Sequence, residues 1–128
     1  MSENNYPPRS WQEISAFYDD LVRSQPLFAP MQALVHRLAA VPTASELEPN
    51  TSMHTLLVSN APSRAWRENV LRITFHPASE KFEFTYSHYD ADTNISEKRC
   101  SIPESWDTLA RFVRYKFGIL LPDATQNA

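Results

Sequence analysis

Apolar positions along this chain change their period twice, and each change marks a new kind of element. Trp11, Ile14, Phe17, Tyr18, Leu21 and Val22 recur at helical spacing, with Asp19 and Asp20 on the other side. That stripe predicts an amphipathic helix. Ser10 and Glu13 stand at capping-box spacing before it, and Pro26 disfavours helical geometry in the preceding residue, so the helix should end near Ser24. A second helix is expected from Pro30, a residue suited to a first helical turn, with Met31, Leu34, Val35 and Leu38 as its buried stripe and Pro42 closing it. The two form a helical hairpin. Residues 43–52 are polar, contain Pro49, and read as a loop with a short turn from Ser45.

The period then falls to two. His54 to Val58 reads as a buried strand ended by Asn60 and Pro62, followed by a longer connection, 59–69, that carries Arg64, Trp66 and Arg67. Residues 70–76 and 81–87 both alternate. If His76 faces Lys81, then Phe75 pairs with Phe82, Ile73 with Phe84 and Leu71 with Tyr86, which puts every large apolar side chain on one face. Arg72, Thr74, His76, Lys81, Glu83, Thr85 and Ser87 take the other face. A turn at 90–94 leads into a strand over 95–102. With Tyr89 opposite Ile95, Cys100 falls opposite Phe84 and Ile102 opposite Phe82, while Glu97, Arg99 and Ser101 extend the polar face. Ser101 and Glu104 repeat the capping-box spacing around Pro103. The last helix therefore starts there and buries Trp106, Leu109, Ala110, Val113 and Phe117, with Gly118 as its left-handed cap and Pro122 beyond.

These elements predict an α+β fold: an N-terminal helical hairpin, an antiparallel meander of about four strands and a C-terminal helix. The helices should all cover the apolar sheet face, because each has one stripe to bury. Residues 10–121 are expected to form a single domain between flexible tails, 1–9 and 122–128.

Composition narrows the chemistry. Gly118 is the only glycine among 128 residues. Dinucleotide fingerprints, P-loops and nucleophile elbows need glycines where the backbone turns sharply or approaches a ligand, so none of them is present. A net charge of -3 argues against a nucleic-acid partner, whose phosphates favour basic surfaces. One cysteine, Cys100, allows no intramolecular disulfide and fits a reducing cytosol. With neither an apolar leader nor a long apolar run, the expectation is a cytoplasmic protein with no membrane partner.

Candidate chemical groups have simpler readings. The histidines show no metal-ligand spacing, and His76 and His88 fall on opposite sheet faces. Asp90-x-Asp92-x-Asn94 resembles the start of a calcium loop, but Ile95 stands where glycine is needed and Ser101 where glutamate is needed. Cys100 should be buried against the core and unreactive. No catalytic residue, metal or cofactor is assigned. The polar sheet face remains: Arg72, Thr74, Glu83, Thr85 and Arg99, with Trp66 and Arg67 from the neighbouring connection, as a surface for another protein or for a second copy in a homodimer. The expected class is a non-enzymatic protein-binding domain of the immunity-protein, antitoxin or small-chaperone type. The alternative is a small-ligand protein or minor enzyme, with a pocket between the helical hairpin and the sheet lined by Tyr18, His36, His88 and Tyr89.

Overall fold

The computed structural model describes residues 9–60, 69–88 and 96–122. Helix α1 (Trp11–Ser24) starts with both halves of its capping box: the Glu13 N–H donates to Ser10 Oγ at 3.0 Å, and the Ser10 N–H to Glu13 Oε1 at 2.9 Å. Its stripe buries Ile14, Tyr18 and Leu21. A 3-10 turn, Pro26–Phe28, leads into α2 (Ala29–Ala39), which has Pro30 in its first turn and buries Met31, Leu34, Val35 and Leu38. The two helices pack as the expected hairpin.

The segment after α2 differs from expectation. A 3-10 turn, Pro42–Glu46, is followed by strand β1 (Leu47–Ser52), paired antiparallel with β2 (Thr55–Asn60). Among the described residues the sheet therefore has five strands instead of about four, in the order β1-β2-β3-β4-β5. β1 lacks apolar alternation because it lies at the sheet edge, where a proline is tolerated. Pro49 has no N–H to offer, and its carbonyl accepts the Arg9 N–H at 3.1 Å. Arg9 and Pro122, both expected in loose tails, are held: Arg9 on β1, and Pro122 by the Trp106 indole at 2.7 Å.

β3 (Asn69–His76) and β4 (Lys81–His88) pair in the expected register, His76 with Lys81, Ile73 with Phe84 and Leu71 with Tyr86. β5 (Ser96–Ser101) pairs with β4 two residues away from the expected register, with Cys100 opposite Phe82 and Lys98 opposite Phe84. Ile102 has already left the sheet. A shift of two leaves every side chain on its expected face, so hydrophobic patterning cannot distinguish the two registers. The expected turn at 90–94 lies outside the described residues.

The C-terminal helix is a composite where one continuous helix was expected. A capped 3-10 turn, Ile102–Glu104, runs into α3 (Ser105–Phe112) and then a π-helical turn, Val113–Phe117. Gly118 ends it at φ 72°, a left-handed conformation that glycine adopts without Cβ strain. Phe112 stacks on Phe84 at 5.8 Å between ring centroids, and Phe117 meets the Tyr86 ring edge-on at 6.0 Å. All three helices cover the same sheet face, and Leu56, Val58, Leu71, Ile73, Phe75, Phe82, Phe84 and Cys100 are buried beneath them.

Candidate functional site

With the helices on one side, the other sheet face carries its polar side chains outward in cross-strand rows. Arg72, Thr85 and Glu97 form one row, continued by Leu57 on β2. Thr74, Glu83 and Arg99 form the next, and His76, Lys81 and Ser101 a third. The expected face residues Arg72, Thr74, Glu83, Thr85 and Arg99 thus lie in two adjacent rows on three neighbouring strands. Trp66 and Arg67 lie outside the described residues.

Glu83 is the hub of this surface. Its side chain is 22% exposed; Oε1 takes the His76 Nε2–H at 2.8 Å, and Oε2 lies 3.8 Å from Arg99 Nη2. One hydrogen bond to β3 and one longer ion pair to β5 link the carboxylate to both neighbouring strands, at about 0.5 kcal/mol per exposed pair. Thr74 Oγ1 shares a hydrogen bond with Thr55 Oγ1 at 2.9 Å, which ties β2 into the same row. Sequence reasoning left His76 beside Lys81 and left out Thr55. The missed signal is the diagonal cross-strand neighbour: His76 sits two residues beyond Thr74, the direct partner of Glu83.

The face is not open along its whole length. Ser59 and Val70 share its orientation yet are buried, and Ser59 Oγ has no hydrogen-bond partner among the described residues. Arg72, Lys81, Glu97 and Arg99 are exposed.

Of the groups expected to line the alternative pocket, Tyr18 and His36 do not face a common space. The Tyr18 ring is buried, its hydroxyl donates to the His54 carbonyl at 3.1 Å, and burial pushes its pKa far above the ordinary phenol value. His36 is exposed on the hairpin surface, with Nε2 2.7 Å from Asp19 Oδ1. Tyr89 and the side chain of His88 lie outside the described residues. An open cleft of about 470 Å³ lies elsewhere, lined by Arg37, Ala40, Val41, Pro42 and Pro122. Its walls are largely apolar. The Arg37 guanidinium is turned onto the Trp106 ring, 4.1 Å from its centroid.

Asp19 itself yields a test. Hydrogen bonds from His36 and then from Gln32, whose amide donates at 2.8 Å, hold its carboxyl below the ordinary carboxylate value. A group with a depressed folded pKa adds stability above its unfolded pKa and loses it as pH falls through the folded one. Urea unfolding at about pH 5 and about pH 3 should show a smaller acid-side loss for Asp19→Asn than for the natural chain. Equal losses would mean that the hairpin clamp does not respond to Asp19 ionisation.

Cys100 is buried, and this burial pushes its thiol pKa up, against the lowering effect of a hydrogen bond with Thr108. A thiol in that setting is a poor nucleophile. Among the described residues no group of three or more His, Cys, Asp or Glu side chains could hold a metal ion, and no helix is long and apolar enough to cross a membrane. Comparison with protein-family models, with curated proteins and with solved structures finds no match for this chain.

Proposed function

We propose that the protein is a non-enzymatic protein-binding domain that works in the cytoplasm, in the manner of immunity proteins, antitoxins and small chaperones, with the open sheet face as its contact surface. The observation that carries this reading is the one-sided layering. Every helix among the described residues packs on the apolar face, and Arg72, Lys81, Glu97 and Arg99 are exposed on paired strands around the Glu83 hub. Charges of both signs on a rigid ladder suit selective docking, because they steer encounter and penalise a mismatched partner. The domain then acts by covering its partner's surface, and no bond is made or broken. Burial of Cys100, the chain's one thiol, is in keeping with that role.

Charge reversal on the face tests the reading. Tagged natural protein, Arg72→Glu and the double variant Arg72→Glu/Glu83→Arg are expressed at equal level, captured and compared by quantitative mass spectrometry, with circular dichroism to confirm folding. A stoichiometric partner of the natural protein should weaken by about tenfold or more in the folded Arg72→Glu variant. Retention of that partner by both folded variants would overturn the placement of the contact surface. Sedimentation of the natural protein alone shows whether that partner is a second copy.

A further inference from the structure

The two edges of the sheet are unequal. At β1, Pro49 lacks an N–H, its carbonyl is taken by the Arg9 N–H, and the Arg9 guanidinium donates to Thr51 Oγ1 at 3.1 Å. A proline and a covering arm both block further pairing. At β5, among the described residues, no strand pairs with the outer side, and Glu97, Lys98 and Arg99 are all exposed. An unpaired edge of this kind is a template for another strand.

The cap of the C-terminal helix fixes which backbone groups face outward. The Ser101 N–H donates to Glu104 Oε1 at 3.1 Å, which leaves Lys81–Ser101 a non-hydrogen-bonded pair. By the alternation of antiparallel ladders, Lys98 then bonds to Phe84, while Glu97 and Arg99 aim their N–H and C=O groups away from β4. A second copy related by a two-fold axis continues the sheet, with each side chain on its own face, only if the axis passes through a residue. Centred on Glu97, the pairing sets glutamate on glutamate. Centred on Arg99, it sets arginine on arginine and brings Glu97 opposite Ser101, whose N–H is already taken. Centred on Lys98, it sets Glu97 opposite Arg99 twice. Both of those pairs use the outward groups, and two bonds in each make four backbone hydrogen bonds. Backbone and charge therefore select the same register.

The charge order also carries across the axis. On the open face the row Arg72, Thr85, Glu97 meets the row Arg99, Glu83, Thr74 of the second copy. Arg99, 3.8 Å from Glu83 of its own chain, then lies between two carboxylates. The one like pair is Lys98 on Lys98, at the axis and on the helix side. Glu104 of each copy lies within electrostatic reach of its own Lys98, and the long lysine stem lets the ammonium turn away from the axis into water.

We propose that β5 pairs antiparallel with β5 of a second copy about a two-fold axis at Lys98, which joins the two sheets into one of ten strands, five from each copy. The contact is isologous and closes on itself, and the blocked β1 edges stop further growth. A contact confined to one strand from each side is narrow, so the dimer is weak and reversible. It makes the two open faces one continuous surface, and it does not depend on what that surface binds.

The test is sedimentation velocity of the full chain from about 10 µM to about 1 mM, the range in which so small an interface dissociates. The natural chain should pass from monomer to dimer. Glu97→Arg and Arg99→Glu, each checked for folding by circular dichroism, should weaken self-association about tenfold or more, because each sets like charges opposite one another twice. An equimolar mixture of these two variants should dimerise again, since every arginine then meets a glutamate. Lys98→Thr, which removes the like pair at the axis, should tighten the dimer. In amide NMR the Glu97 and Arg99 N–H groups should gain protection from exchange as concentration rises. A monomer at about 1 mM would overturn the proposal. So would a dimer untouched by Glu97→Arg, a mixture that associates no better than its components, or a dimer weakened by Lys98→Thr. Self-association lost in Arg72→Glu but kept in Glu97→Arg would place the contact on the open face instead, which tells failure here apart from failure of the sheet-face reading.

Discussion

Phe84→Ala is expected to destabilise the fold by about 3–5 kcal/mol, the range for deleting a buried phenyl ring from a close-packed core. Phe84 is 0% exposed, lies on the central part of β4, and connects the sheet to the last helix through its stack on Phe112, with ring planes 10° apart. Phe82 is its neighbour on the other side, 6.2 Å between centroids. With three large rings in contact, little collapse can fill the space, so both the transfer and the cavity contributions are expected in full. Urea unfolding followed by circular dichroism measures the loss. A change below about 1 kcal/mol would mean that α3 does not dock on this ring.

Trp106→Ala should have an effect of similar size, about 3–5 kcal/mol, for a different combination of reasons. The indole is 3% exposed, its Nε1–H donates to the Pro122 carbonyl at 2.7 Å, and the Arg37 guanidinium lies 4.1 Å above it. One side chain thus fastens α3, the end of α2 and the segment beyond Gly118. Trp106→Phe separates these roles: it keeps most of the apolar volume and a ring for Arg37 but removes the hydrogen bond, for an expected loss of about 1–2 kcal/mol. If both variants lose the same amount, the carbonyl of Pro122 dominates and the packing contributes little. If Trp106→Phe is neutral, the hydrogen bond is dispensable.

The elements best read from sequence are those in which one face is strictly buried. The register of β3 with β4 follows from alternation alone, since a slip by one residue would put the apolar sets of the two strands, Ile73 and Phe84 among them, on opposite faces and expose one of them. Capping-box residues likewise announce α1 and the last helix through local chemistry. β1 is illegible because LEPNTS has no apolar alternation of its own and owes its extended form to pairing with β2 along one side and to Arg9, remote in sequence, along the other. The offset of β5 is illegible because face parity is blind to a shift of two. Of the candidate surface, the residue types and their common face were readable. That Glu83 is shared between His76 and Arg99 was not, because the contact with His76 is diagonal and the one with Arg99 depends on the β4–β5 register. Burial of Ser59 and Val70 on the otherwise polar face had no signal in local pattern either.

The strand order has a consequence for how the molecule assembles. Among the described residues every strand pairs with its neighbour in sequence, with no crossover. Loop-closure entropy rises with the length of chain that must be looped, and here it is small at the β1–β2 and β3–β4 connections. A long closure brings the hairpin at residues 11–39 onto the sheet, where Phe28 meets Phe75, whereas α3 follows β5 after one 3-10 turn. Topology of this kind, rich in near-neighbour pairing, belongs to the faster end of sheet-containing folds. The nascent sheet is then a template whose greasy side the two ends of the chain compete to cover.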